Sequence, residues 1–483
     1  MYDGLLVVDA DAHKMENPVV FFDYLEARYR GRLSSRTDRH GQPRLVIRDL
    51  DPRTGRPELD RLFPQPEGPG KGAFAAIHPE TAIGGVFNRV RVEHMDREGI
   101  DAQVLYGTMT LTFEAILDPE LAVACMRAYN SYIADDCRAW RGRLFPVGFI
   151  SLADVGEAVR EVRRCVDELG LIGIHLPPSL PVSHPSAPDA FPAVRLPKHV
   201  CHPDFHPILA AAVELDVAVG VHGSPGVYLP SGIAEQVDTF ILSHIFGHRN
   251  QMQMALAASV FEGLFDRFPT LRMGFLEAGC GWVPDLVHAF HEHWEKRIRD
   301  FDPGARMPRG RFARELLRER VGPDAGRHPL RKLRQALHLY RRTSRETPAP
   351  DTDAYLMEHR ALDHDPVDFF RRGQIFLSFE SDDPAPAYLR EALGELGEDL
   401  ACFSADYGHW DGVLTDCVKN VARVRPYARE HLAKLLAGNC LRFYGRRLES
   451  AIVPKKKTHN GMTSSLMGAL RCRTVYWFAS SRP

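Results

Sequence analysis

The segment LLVVDADAHKME, residues 5–16, runs four apolar residues straight into Asp9, Asp11 and His13. Ionised carboxylates enter a protein interior only when partnered, because desolvating one costs several kcal/mol. A bound cation is one partner that offsets this cost. Alternate side chains of a strand share a face, so Asp11 and His13 point the same way. Similar residues close later apolar runs. His175 ends LGLIGIHLPP, His222 ends VAVGVHG and Glu277 ends LRMGFLEAG. Glu380 ends QIFLSFE, with Asp382 and Asp383 just beyond, and Asp406 ends LACFSAD, followed by Tyr407, His409, Trp410 and Asp411. A lone strand-end histidine is commonly a hydrogen-bonded core residue. Imidazoles and carboxylates converging from several strands make a mononuclear divalent metal site. The competing reading is a buried polar network that needs no metal.

The elements that must position these residues are eight short apolar runs, at 5–10, 101–107, 144–152, 169–178, 217–223, 271–279, 374–380 and 400–406. None alternates cleanly, as expected of strands covered on both faces in a parallel sheet. Helix-like spacing fills 120–140, 156–170, 205–216, 254–268 and 427–438. Strands alternating with helices predict an α/β fold, a (β/α)8 TIM barrel, whose chemistry sits at the C-terminal strand ends. An open doubly wound sheet is the second choice. No G-x-G-x-x-G follows the first strand, so a dinucleotide fold has no support.

Three segments break the alternation. Residues 31–90 are polar and rich in Pro, Gly and Arg, which predicts a long insertion after strand one, a cap over the barrel mouth. Residues 296–365 predict a second insertion between strands six and seven, centred on the basic run GRHPLRKLRQALHLYRRTSR. Residues 448–483, with PKKKTHNGMTSS, read as a C-terminal tail, disordered in part, after a domain of 1–447. Net charge is −2 for 483 residues, so no global field favours nucleic acid or a membrane surface. The basic run without a nucleic-acid motif reads as a solvated helix face or an oligomer contact. Nine cysteines without C-x-x-C argue against a disulfide framework and a thiolate zinc site. Neither a signal peptide nor a membrane-spanning run is visible, so the expected location is cytoplasmic.

Six pieces, VVDADAH, EHMDREGIDAQVLYG, VAVGVHG, FEGLFDRFPTLRMGFLEAGCGWVPDL, FSADYGHWDG and GNCLRFYG, occur in an order and spacing that resemble the amidohydrolase-related family. The resemblance runs from about residue 5 to residue 445 and points to the branch of aminocarboxymuconate-semialdehyde and phenolic-acid decarboxylases. It implies a distorted (β/α)8 barrel holding one divalent metal ion, with no organic cofactor. His222 matches the strand-five ligand, and Asp406 matches the strand-eight aspartate that also transfers protons. The family's strand-one pattern of His-x-His or Glu-x-His is here Asp11-x-His13. The strand-six position, commonly His, is Glu277. The resulting metal set is Asp11, His13, His222, Glu277 and Asp406, and Asp9 is expected to bond backbone amides instead. The resemblance also leaves a homodimer open, with an arginine reaching the neighbouring active site.

Two imidazoles with two or three carboxylates form a harder site than an all-histidine one. Such a site suits Mn, Fe or Mg, with Zn also open. Two reactions on a small organic acid, aromatic ones included, follow. In non-oxidative decarboxylation the metal binds the carboxylate or an adjacent hydroxyl and a proton reaches the carbon. In hydrolysis of an amide, ester, lactone or C–C bond, activated water attacks with Asp406 as base. The strand-one pattern favours decarboxylation; a cyclase or hydratase ranks third, and a non-catalytic binding protein is the reading from another class. The catalytic candidates are Asp406, His222 and His409. The substrate candidates are His175, Arg89, Arg91, Glu380, Tyr407 and Trp410, with His94 and Trp282 as weaker pocket residues. Arg89 and Arg91 could clamp a carboxylate, against the plainer reading of a surface salt bridge.

Overall fold

A computed structural model describes residues 1–37, 43–51, 54–62, 79–114, 116–183, 195–223, 239–299, 309–320, 327–343, 362, 364–409, 412, 415–424 and 426–452. Its strands are β1 (Val8–Lys14), β2 (Leu33–Thr37), β3 (Pro43–Asp51), β4 (Arg56–Leu62), β5 (Ala102–Gly107), β6 (Leu144–Pro146), β7 (Gly148–Phe149), β8 (Gly173–Leu176), β9 (Ser179–Ser183), β10 (Arg195–His199), β11 (Ala218–Val221), β12 (Met273–Phe275), β13 (Ile375–Glu380) and β14 (Ala401–Ser404). The helices used below are α1 (Asn88–Glu98), α2 (Pro119–Cys137), α3 (Val155–Asp167), α4 (His206–Glu214), α5 (Phe240–Phe261), α6 (Val283–Trp294), α7 (Arg309–Arg318), α8 (Pro329–Thr343) and α9 (Ala385–Leu393).

Every one of the eight predicted apolar runs contains a strand. The order is β1-β5-β6 in one parallel sheet and β7-β8-β11-β12-β13-β14 in another. Only Val147 separates β6 from β7, so the two sheets share one interrupted strand. On the other side β14 meets β1 through side chains: Ser404 Oγ donates to the Asp11 carbonyl at 2.7 Å, and Ala405 N donates to Asp9 Oδ1 at 3.2 Å. This is the ring expected of a distorted barrel. β1 begins and ends later than its apolar run suggested. Its last residues are all buried, so the acids and the histidine lie within the strand and not after it.

A helix forms in each segment that the spacing marked, α5 beginning earlier, at Phe240, and the starts of α2 and α3 are capped by side chains. The Asp118 carboxylate accepts from Glu120 N and Leu121 N ahead of α2, with Pro119 in its first turn. Asp154 does the same for α3 through Glu157 N. Such caps satisfy amides that the helix itself cannot. Inside the barrel, Tyr106 OH meets Tyr444 OH at 2.7 Å, and Tyr444 donates to the Ala10 carbonyl at 2.9 Å. A Cβ on Gly220 would stand 2.2 Å from Tyr106 OH, so glycine is what admits this pair.

The first insertion contains an antiparallel sheet, β2-β3-β4, which its polar composition did not announce. Asp49 anchors it by accepting from Leu117 N at 2.8 Å and Asp118 N at 2.9 Å. In the second insertion α7 and α8 are mostly exposed, and α8 carries most of the basic run, which fits a solvated face. Leu448 is fully buried, so the packed part extends past the expected boundary at 447; residues 453–483 lie outside the described residues. Among the described residues no helix is long and apolar enough to cross a membrane.

Candidate metal centre and active site

Five of the strand-end residues converge at one point. His13 Nε2 lies 3.0 Å from His222 Nε2, 3.5 Å from Glu277 Oε2, 3.9 Å from Asp406 Oδ1 and 3.9 Å from Asp11 Oδ1. His222 Nε2 is 2.6 Å from Glu277 Oε2 and 3.7 Å from Asp11 Oδ1. These are the residues predicted as ligands, brought from the ends of β1, β11, β12 and β14. His409 joins them: its Nδ1 is 2.9 Å from Asp406 Oδ1, and its ring stacks on His13 at 3.7 Å.

The backbone is bent to achieve this. Glu277 and Asp406 have φ of 52° and 44°, a left-handed conformation that side chains other than glycine adopt at a cost of order 1–3 kcal/mol. Each follows its strand by two residues, and the turn swings the carboxylate inward over the barrel. Supporting contacts hold the first donor in place. Asp11 Oδ2 accepts from Ser378 Oγ at 3.0 Å and from Glu277 N at 3.2 Å. His222 Nδ1 donates to the Gly223 carbonyl at 3.0 Å, which turns Nε2 toward the cluster.

The donor set fits a divalent cation. Two nitrogens each about 2.0–2.1 Å from one ion lie roughly 3 Å apart, as the two Nε2 atoms do. Asp11 Oδ1 faces this cluster and is buried with no hydrogen-bond partner among the described residues, a costly state for a site with no further occupant. The carboxylates and imidazoles of the cluster shift one another. Burial alone would raise Glu277, but His248, His222 and His409 hold its carboxyl well below the usual range. Burial opposes charge on His409 and His222, yet the carboxylates win: Asp406 and Glu277 raise His409 well above its ordinary value, and Glu277 and Asp11 raise His222. Burial, aided by His409, keeps the His13 imidazole well below its ordinary value and neutral. Asp11 is raised by burial, against the pull of His222. Asp11, His13, His222, Glu277 and Asp406 would hold the ion, in a mixed nitrogen–oxygen set that suits Mn, Fe or Zn.

A cleft of about 270 Å³ opens onto this cluster, lined by His244, His248, Arg249, Glu277, Glu380 and Asp406 among others. Glu380 therefore faces the site. His175 does not join the cluster; it lies behind His222, 5.5 Å between ring centroids, with Nε2 3.3 Å from Glu114 Oε1. Burial, then Glu277, raises the Glu114 carboxyl well above its ordinary value.

The two arginines separate. Arg89 is on the exposed side of α1, 2.5 Å from Glu93, in the surface pairing that was the plainer reading. Arg91 is fully buried; it donates to the His13 carbonyl at 2.5 Å and to Gln103 Oε1 at 3.2 Å, and covers the Tyr407 ring at 4.5 Å. Tyr407 OH lies 2.6 Å from Nδ1 of His94 on α1, so Tyr407 packs against that helix. Trp282 Nε1 donates to the Ala278 and Gly279 carbonyls. Trp410 lies outside the described residues. Asp9 does what was expected of it: it accepts from Asp11 N, Ala405 N and Gln103 Nε2. Sequence reasoning missed His248, Glu114 and Ser378. The HIFGH spacing, His244 and His248 on one helical face, was the available signal for the first; the other two carried none.

The chain belongs to the amidohydrolase family, whose model matches residues 78–446. It is 24% identical over 205 residues to a 2-amino-3-carboxymuconate-6-semialdehyde decarboxylase of Dictyostelium discoideum, covering 42% of this chain and 51% of that protein. It is 26% identical over 198 residues to a gamma-resorcylate decarboxylase of Rhodococcus jostii, covering 41% and 57%. The match thus spans little more than half the length of these curated relatives. Among solved structures, an amidohydrolase of Mycobacterium avium subsp. paratuberculosis superposes with a TM-score of 0.60 at 19% identity, covering 92% of this chain and 98% of that one. A 5-carboxyvanillate decarboxylase of Novosphingobium aromaticivorans, with bound manganese and a nitrobenzoic acid ligand, gives 0.53 at 15%, covering 91% and 97%. These structures share the barrel fold.

Proposed function

We propose that this protein is a metal-dependent, non-oxidative decarboxylase of a small hydroxylated aromatic acid. The observation that carries the reading is the His13-centred donor set, opening onto a cleft beside the Asp406–His409 pair. The similarity to decarboxylases, including those of carboxymuconate-semialdehyde and gamma-resorcylate, supports the choice of reaction. A divalent ion held by Asp11, His13, His222, Glu277 and Asp406 supplies Lewis-acid attraction for the substrate's acidic oxygens.

The protein's own groups handle the proton. Asp406 lines the cleft and hands a proton to the ring carbon that bears the carboxylate. The bond from that carbon to the carboxylate then breaks, its electron pair returns to the ring, and CO2 leaves. His409 Nδ1, 2.9 Å from Asp406 Oδ1, reloads the aspartate and recovers its own proton from solvent. Burial of His13, His222 and Asp11 excludes water from the base of the site. A cytoplasmic homodimer is part of the proposal, with light scattering on the purified protein as its check.

The test loads the protein with Mn, Fe or Zn and supplies 2,6-dihydroxybenzoate and 5-carboxyvanillate labelled with 13C in the carboxyl group. Release of labelled CO2, with one deuterium entering the product from D2O, is the expected result. Hydrolysis of ester, amide or lactone substrates without any CO2 release would overturn the reading in favour of a hydrolase.

A further inference from the structure

The cleft wall opposite the β14 end is formed by α5, and its inward stripe is polar. His244, His248 and Gln251 are four and three residues apart, so they share one face of the helix. His248 is 5% exposed, and neither ring nitrogen has a hydrogen-bond partner among the described residues. Its Nε2 stands 3.7 Å from Glu277 Oε1, and its ring is perpendicular to that of His222 at 6.4 Å. Gln251, one turn further, is 4% exposed, and its amide oxygen and nitrogen also lack partners among the described residues. A Cβ on Gly223 would stand 2.1 Å from Gln251 Oε1, so glycine is what lets this amide approach the end of β11. Buried polar atoms without partners are costly, and those of His248, which lines the cleft, call for a polar occupant.

The charge around the cleft says which part of a substrate belongs there. Glu277, Glu380, Asp382, Asp383 and Asp406 line it on the barrel side. On the α5 side the lining is His244, His248 and Arg249. An oxygen substituent that both donates and accepts hydrogen bonds, and carries no charge, matches an imidazole set among these carboxylates.

We infer that His248 is the specificity-determining residue of this site, hydrogen-bonding a ring hydroxyl at the α5 edge of the donor cluster, beside Glu277, so that a second hydroxyl is selected. This rests on the decarboxylase reading and names the feature of the substrate that the reading leaves open. A site built to bond a hydroxyl rejects the analogue that lacks it, because its buried groups are then left without a partner.

The test compares 2,6-dihydroxybenzoate with 2-hydroxybenzoate on the metal-loaded full chain, in the wild type, His248→Phe and His248→Gln. Turnover is measured together with calorimetric binding and metal content. The wild type is expected to prefer the dihydroxy acid. His248→Phe is expected to lower kcat/KM and affinity for that acid by roughly tenfold or more relative to the monohydroxy acid and to keep its metal. His248→Gln should restore part of the preference. Equal losses on both acids, or loss of metal, would assign His248 to support of Glu277 and overturn the inference. Unchanged discrimination in His248→Phe would overturn it while CO2 release from the wild type left the decarboxylase reading standing. If the wild type neither binds nor decarboxylates either acid, both fall together.

Discussion

Two buried polar regions lie along the single strand β1, and they are finished differently. At its lower end Asp9 is enclosed and fully partnered: Asp11 N, Ala405 N and Gln103 Nε2 all donate to it, and Arg91 in turn holds Gln103. At its upper end Asp11 Oδ1, equally buried, has no hydrogen-bond partner among the described residues and faces the Nε2 atoms of His13 and His222. The chain can satisfy a buried carboxylate when it needs only structure there. Where it leaves donors converging on one point, the missing partner is to be supplied from outside. Burial of a charged residue is therefore not by itself the mark of a functional site; convergence of imidazoles and carboxylates from several strand ends is the stronger sign.

The largest expected effect breaks the upper region. His13→Ala and His222→Ala each remove a donor from the centre of the cluster. Bound metal, read by inductively coupled plasma mass spectrometry, should fall from near one per chain to a trace. Activity should fall by roughly a thousandfold or more, beyond the 10–100-fold typical of residues that only orient a ligand. Circular dichroism should be unchanged. A variant that kept full metal and full activity would remove His13 and His222 from the ligand set.

The lower region should respond in the opposite way. Asp9→Ala leaves Gln103 Nε2 and two buried amides without an acceptor, at a cost of roughly 2–4 kcal/mol. Chemical denaturation should report that loss, while the folded fraction retains its metal. If Asp9→Ala lost metal without losing stability, the two regions would be one functional unit and the contrast would fail.

Metal removal sharpens the same contrast. A ligand that binds only the native state stabilises it by about 2.7 kcal/mol at a hundred times its dissociation constant. Chelation should therefore lower the melting temperature of the wild type and of Asp9→Asn by similar amounts. It should do nothing to His222→Ala, measured side by side in a thermal scan. Equal shifts in all three proteins would place the metal elsewhere.

How much of this was legible in the sequence follows from the same physics. The eight strands were visible because both of their faces are covered, which makes their apolar runs nearly continuous. The donors were visible because those runs end on residues that do not belong in a core. What stayed hidden depends on orientation. Arg89 and Arg91 look equivalent, yet residues two apart on a helix diverge, and one is paired with Glu93 on the surface while the other is buried beneath His13. The β2-β3-β4 sheet was hidden because its one apolar run, residues 45–47 in β3, is short and set among polar residues. His248 and Gln251 were missed because the helix-like spacing was recognised only from residue 254, whereas α5 begins at Phe240.

Glu16 sits between the two kinds of region and tests where the boundary lies. It is buried three residues beyond His13; one oxygen accepts from Met109 N at 2.9 Å and the other has no partner among the described residues. Burial, only partly offset by that amide, pushes its carboxyl up to about 7. A carboxyl raised in the folded state binds its proton more tightly there than in the unfolded chain. Its stabilising contribution is thus complete below the ordinary value of 4.5 and is lost as pH rises through about 7. Between pH 6 and pH 8 the loss amounts to about 1 kcal/mol. Glu16→Gln keeps the acceptor for Met109 N and cannot ionise. Denaturation measured across that window should show a flatter pH dependence for Glu16→Gln than for the wild type, with equal metal content in both. Parallel curves would mean that Glu16 does not change its protonation across this window in the folded protein.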